Sequence, residues 1–222
     1  EGDQVIVDSP MPGADIVASL ADPNGDLIVG VNGSGVWRRR AQDGWQRLDD
    51  GTLVLGPRAA LMRDTAGRLW VGTRNGVIYQ DGETWGRFPL KADDTGLEVY
   101  ALTPDGEGGL WVGTNEGVFY AADYEQGGLP VVQHRARQNG LVNDYVRVVT
   151  VDQDRGVWLG TIAGVSRHFG LVWQVERDPA LEQQRINALL LDSAGRTWAG
   201  TELNGLAVLQ EDRWEHLTSQ NG

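Results

Sequence analysis

Five segments of the chain share one frame, and a chain that repeats itself at such a period builds its fold by setting like units side by side. The segments are DPNGDLIVGVNGSGV from Asp22, DTAGRLWVGTRNGV from Asp64, DGEGGLWVGTNEGV from Asp105, DQDRGVWLGTIAGV from Asp152 and DSAGRTWAGTELNGL from Asp192. Each runs from an Asp through a short glycine turn into an apolar strand ending in Gly, usually followed by Thr. Two or three polar residues then lead to Gly and an aliphatic residue. Ile28, Trp70, Trp111, Trp158 and Trp198 hold the same place in the frame, 42, 41, 47 and 40 residues apart. Units of this length with several short strands each are the sequence signature of a β-propeller.

Each unit reads as four strands. In the fifth they fall at Ile186–Leu191, Thr197–Gly200, Leu206–Gln210 and Arg213–Thr218. The first is nearly all apolar, as expected of an inner strand buried on both faces. Asp192 to Gly195 is a turn signal, and Asp43-Gly44 and Asp81-Gly82 reverse the chain between third and fourth strands. A second aromatic register, Trp45, Trp85, Trp173 and Trp214, recurs in the fourth strand. With the anchor tryptophans it accounts for all but Trp37 of the 9 Trp, and such recurrence marks packing between neighbouring blades. Ala18, Ala60, Ala101, Val148 and Ala188, ten positions before each anchor, are small where inner strands crowd towards an axis. The expected fold is all-β: one propeller domain over residues 1–222, with units near 16–50, 57–90, 98–135, 145–178 and 186–218. A closed five-bladed ring is the first expectation and a portion of a larger propeller the alternative. Gln4–Asp8 is a surplus strand that takes part in closure or belongs to a blade upstream.

Composition narrows the function. A net charge of −12 repels phosphate backbones, so nucleic acid is not the expected partner. The one basic run, Arg38 to Arg40, reads as a solvated outer strand. With no Cys there are no disulfides, thiolate nucleophiles or Cys-type zinc sites. No apolar run approaches the roughly 20 residues of a membrane span, and no basic-then-apolar leader opens the sequence, which begins as a mature or excised domain would.

The frame G-x-L-W-V-G-T-x-x-G-V resembles the two-component regulator propeller repeat. The likeness runs from Ile16 to Thr218 and is strongest in Leu69–Thr73 with Gly76-Val77 and in Leu110–Thr114 with Gly117-Val118. In the first unit Ile28 and Val31 stand where the repeat has Trp and Thr. The resemblance implies a non-catalytic sensor region of a bacterial hybrid histidine kinase or diguanylate cyclase, in the periplasm or outside the cell. Sensors of that family usually carry two seven-bladed rings and a further β domain before the membrane; five units depart from this.

No nucleophile elbow, phosphate loop or zinc spacing is present. His134, His168 and His216 fall on expected outer strands with no shared ligand spacing. Asp22-Asn24-Asp26 and Asp152-Asp154 lack the Gly and the closing carboxylate of a helical calcium loop, and an Asp capping its own turn accounts for them. No cofactor, metal or catalytic residue is therefore expected. Positions that vary between equivalent units are free of packing duty. On the face bearing the strand-two-to-three loops and the mouths of the inner strands these are Arg58, Arg74, Asn75, Glu98, Tyr100, Asn115, Tyr145, Arg147, Arg185 and Asn187. Polar groups with two tyrosines suit an oligosaccharide or peptide. A protein-association scaffold, with homo-oligomers formed through blade edges, is a second reading. A glycan lyase or hydrolase, a third, would need a carboxylate pair from among Glu98, Asp144 and Glu202.

Overall fold

The computed structural model describes residues 13–40, 43–126, 131–169, 172–210 and 213–218. Five four-stranded antiparallel sheets follow one another along the chain, each a meander from inner to outer strand. The first blade is β1 (Ile16–Ala21), β2 (Leu27–Val31), β3 (Gly35–Arg40) and β4 (Gly44–Arg47). The second is β5 (Ala60–Arg63), β6 (Leu69–Thr73), β7 (Gly76–Asp81) and β8 (Thr84–Phe88). The third is β9 (Val99–Pro104), β10 (Leu110–Thr114), β11 (Gly117–Ala122) and β12 (Val131–Arg135). The fourth is β13 (Val146–Val151), β14 (Val157–Thr161), β15 (Gly164–Phe169) and β16 (Val172–Val175). The fifth is β17 (Ile186–Leu191), β18 (Thr197–Thr201), β19 (Leu206–Gln210) and β20 (Arg213–Leu217).

The shared frame builds the same joints in successive blades. At one end Asp64 caps the β5–β6 turn: its Oδ1 accepts the Arg68 backbone N–H at 2.8 Å and its Oδ2 the Trp70 indole N–H at 2.8 Å. Asp152 and Asp192 accept the Trp158 and Trp198 indoles in the same way, both at 2.9 Å. In the third blade Asp105 accepts the Tyr120 hydroxyl instead, at 2.8 Å. At the other end the frame's Thr closes the loop from second to third strand. Thr73, Thr114 and Thr161 donate to the carbonyls of Gly76, Gly117 and Gly164 and accept the N–H two residues on. Both ends of β6, β10 and β14 are thus tied by side chains that the repeat specifies.

Between the blades lies the core. Trp70, 1% exposed, packs with Phe88 and Tyr124 edge-on and with Leu97 and Val99 of the next unit. Trp158 packs with Ile186, Leu189 and Trp214 of the fifth blade. The frame's Gly follows from the same contact. A Cβ on Gly72 would stand 2.6 Å from Val99 Cγ1, and one on Gly113 2.8 Å from the Val146 carbonyl. The following inner strand leaves room only for hydrogen.

Inner strands pack in chain order: β1 on β5, β5 on β9, β9 on β13, β13 on β17. Among the described residues β17 and β1 form no comparable pair. The five described blades therefore pack each on the next in chain order, as the expected propeller requires. The expectation that inner strands are buried on both faces is met only in part: β5, β9 and β13 are mostly buried or half-buried, whereas β1 and β17 are more open, with Ile16 46% and Leu190 62% exposed. Gln4–Asp8 lies outside the described residues.

Candidate functional site

Four of the five inner strands carry a register shift at the same place. Ile16 and Ala18 pair with Val31 and Gly30, leaving Val17 unpaired. The same slip leaves out Tyr100 in β9, Arg147 in β13 and Asn187 in β17. A bulge bends the strand and re-aims the extra side chain. Here it frees one residue per blade, at the mouth of the inner strand, from the alternation that would commit it to a blade interface.

One pocket of about 300 Å³ gathers side chains from several blades at this mouth: Arg58, Tyr100, Tyr145, Arg147, Ile162 and Arg185. Arg58 precedes β5, Tyr100 is in β9, Tyr145 and Arg147 flank the start of β13, and Arg185 precedes β17. The Tyr100 hydroxyl donates to Glu98 Oε2 at 2.7 Å. Burial, then that hydrogen bond, pushes the phenol well above its ordinary range, so it stays a donor. Arg185 pairs with Glu202 at 2.8 Å.

Arg147 is the unusual member. Burial, followed by the nearby charges of Arg58 and Arg185, lowers its pKa to about 10. Its Nε is buried without a hydrogen-bond partner, a property shared with Arg38, Arg63 and Arg167. Those three have carboxylate partners in Asp26, Asp22 and Asp152. Among the described residues Arg147 has none.

The other residues singled out from sequence fall elsewhere. Asn115 is a clasp between loops: its side chain accepts the Glu98 N–H and donates to the Gly96 carbonyl. Asn75 accepts the Gly96 N–H at 2.9 Å and lines a separate cleft of about 470 Å³ with Asp49, Asp50, Trp85 and Arg87. Arg74 lies against Gly56, where a Cβ would sit 2.7 Å from its Nε. Asn187 is exposed on the β17 bulge, outside the pocket lining. Sequence reading missed Ile162, an aliphatic residue in a loop whose other positions are polar or small. It also missed the bulges, which leave no residue-type signature.

The proposed carboxylates each have a separate engagement: Glu98 with Tyr100, Asp144 with the Arg137 N–H, Glu202 with Arg185. His168 lies against Trp173, ring centroids 4.7 Å apart, and burial lowers its pKa. His216 contacts Asp178 at 3.0 Å. The His134 side chain lies outside the described residues.

Fold and mouth together define a β-propeller with a polar pocket at the mouths of its inner strands. The model of the two-component regulator propeller family matches residues 94–116, which run from the link before the third unit through most of that unit's frame. No curated protein matches the chain in sequence. Among solved structures, the extracellular domain assigned to a hybrid two-component system of B. thetaiotaomicron is similar, at 21% identity and a TM-score of 0.77. The match covers 96% of this chain and 29% of that one, so this chain spans about three tenths of the sensor's length. PorZ, a surface component of the type-IX secretion system of Porphyromonas gingivalis, aligns over 93% of this chain and 34% of its own at 18% identity, TM-score 0.70. Virginiamycin B lyase from Staphylococcus aureus aligns over 96% of this chain and 73% of its own at 13% identity, TM-score 0.75. These likenesses show the propeller fold. No helix among the described residues is long and apolar enough to cross a membrane.

Proposed function

We propose that the chain is a non-catalytic ligand-binding module, the input part of a bacterial signalling protein, working in the periplasm or at the cell exterior. The observation that carries the reading is the mouth pocket, where bulged and loop residues from four blades converge on one small cavity. Nothing in the packing of the blades requires Tyr100, Arg147 or Arg58 there, whereas a ligand lying across the inner-strand mouths would touch all three. The resemblance to two-component regulator propellers supports the signalling role, and the extracellular sensor domain among the similar structures supports the location.

The test is a thermal-shift screen of the purified chain against oligosaccharides and short peptides, followed by calorimetry and product analysis on every hit. A ligand that raises Tm and is recovered intact supports the reading, since ligands that bind only the folded state stabilise it. A screen with no stabilising ligand, or a hit recovered cleaved, defeats it.

A further inference from the structure

Resting on the ligand-binding reading of this mouth, we propose that the pocket takes an acidic sugar, whose carboxylate is held by Arg147 and Arg58. The argument begins with charge. The chain carries a net −12, yet three guanidinium groups border one pocket of about 300 Å³. Like charges gathered on a partly buried site cost stability unless something compensates them. Arg185 has Glu202 for this. Arg58 and Arg147 make no ion pair or hydrogen bond among the described residues, and Glu202 acts on Arg147 only at longer range. Of the four arginines with a buried, unbonded Nε, the other three have carboxylate partners. A bound anion would supply the partner that no described carboxylate does. Glu98, the other carboxylate near the mouth, accepts the Tyr100 hydroxyl.

A guanidinium is a planar fork of donors that matches a carboxylate through two parallel hydrogen bonds. The bulge that leaves Arg147 unpaired in β13 holds this fork at the pocket instead of in a blade interface. Tyr100, Tyr145 and Ile162 supply the rest of the lining, so the cavity offers apolar surface beside its charges. That combination fits a sugar ring, which presents a C–H face to an aromatic side chain and a carboxylate to the arginines. The volume lies at the small end for ligand pockets, enough for about one ring. A phosphodiester polymer is disfavoured, because its repeated charges would extend beyond the pocket over a chain of net charge −12.

Isothermal calorimetry on the purified chain tests this with trimeric oligouronates of several epimers, their carboxyl-reduced neutral counterparts and a Glu-rich peptide. At least one oligouronate should bind, its reduced counterpart should bind about tenfold or more weakly, and added salt should weaken the acidic ligand alone. Arg147→Gln and Arg58→Gln should each weaken the oligouronate by about tenfold. Both variants should keep the wild-type circular dichroism and melt no lower than wild type, which separates lost binding from lost folding. Equal binding of acidic and reduced trimers, or wild-type affinity in folded Arg147→Gln, overturns the acid preference while ligand binding at the mouth survives. Binding of the Glu-rich peptide in place of every oligouronate overturns the sugar assignment. Failure of acidic, neutral and peptide ligands alike overturns the site together with the reading beneath it.

Discussion

Blades four and five carry the same frame, but among the described residues only the fourth has a neighbour on the anchor side of its second strand. Trp158 is 1% exposed beneath Ile186 and Leu189 of the fifth blade. Trp198, at the equivalent place, is only half-buried, and Leu190 opposite it in β17 stands open. The glycines repeat the lesson. A Cβ on Gly160 would meet Ile186 Cγ2 at 2.7 Å, while one on Gly200 would find nothing closer than the Ala188 Cβ at 3.5 Å. The frame thus encodes a face prepared for a following blade. The anchor Trp and the frame's Gly recur in both units, and occupancy of that face decides what they contribute.

The largest test of this comparison is Trp158→Ala. Emptying a filled interface should cost about 3–5 kcal/mol in urea unfolding, and Trp198→Ala should cost less than half as much. Equal losses would show that the fifth blade's face is covered in solution.

Gly160→Ala follows. The added methyl has no space and should cost about 1–3 kcal/mol, while Gly200→Ala should leave Tm nearly unchanged. A destabilised Gly200→Ala would again point to something seated on that face.

Smaller is the acid dependence of the turn caps. Burial works to raise the Asp64 carboxyl, but hydrogen bonds from Trp70 and Arg68 outweigh it and hold it below the usual carboxylate range. For Asp105 burial is likewise outweighed, by the Glu107 N–H, Tyr120 and the Gly109 N–H. Carboxyls depressed in the folded state contribute stability that is complete above the unfolded-state value, about 4, and is lost as pH falls through the folded-state values. Denaturant midpoints should therefore fall below about pH 4, and Asp64→Asn should lower the neutral plateau and flatten the acid limb.

The smallest effect distinguishes mouth from frame. Burial and the nearby charges of Arg58 and Arg185 disfavour the charged form of Arg147 in the folded state. Arg147→Gln should therefore leave Tm at neutral pH equal to or slightly above wild type. A clear loss of Tm would mean that Arg147 supports the blades, and the mouth would lose its distinction from the frame.

How far each feature was legible follows from how local its cause is. The Asp-capped turns rest on local contacts, and the four-stranded units and tryptophan registers on positions that every unit repeats, so spacing revealed them. The second partner of Asp64, the Trp70 indole six residues on, was within reach of the same logic and was missed, because a turn cap already accounted for the Asp. Among the mouth residues, Arg58, Tyr100, Tyr145, Arg147 and Arg185 were marked by departing from the repeat, and the fold brings those five to one pocket. Asn75 and Asn115 departed from it equally but clasp the Gly96 backbone. Variation shows that a position is free of interface packing and does not show what it faces.

The sequence by itself determined the blade: its length, its four strands, its turns, and the small residue and glycine where the next inner strand must pass. These are consequences of steric fit between identical units, and each unit states them again. Only the tertiary structure decided which blades meet and which arginine lacks a partner. A bulge of one residue and the placing of a carboxylate against an arginine are relations between separate segments, within a blade or between blades, and no residue type records them.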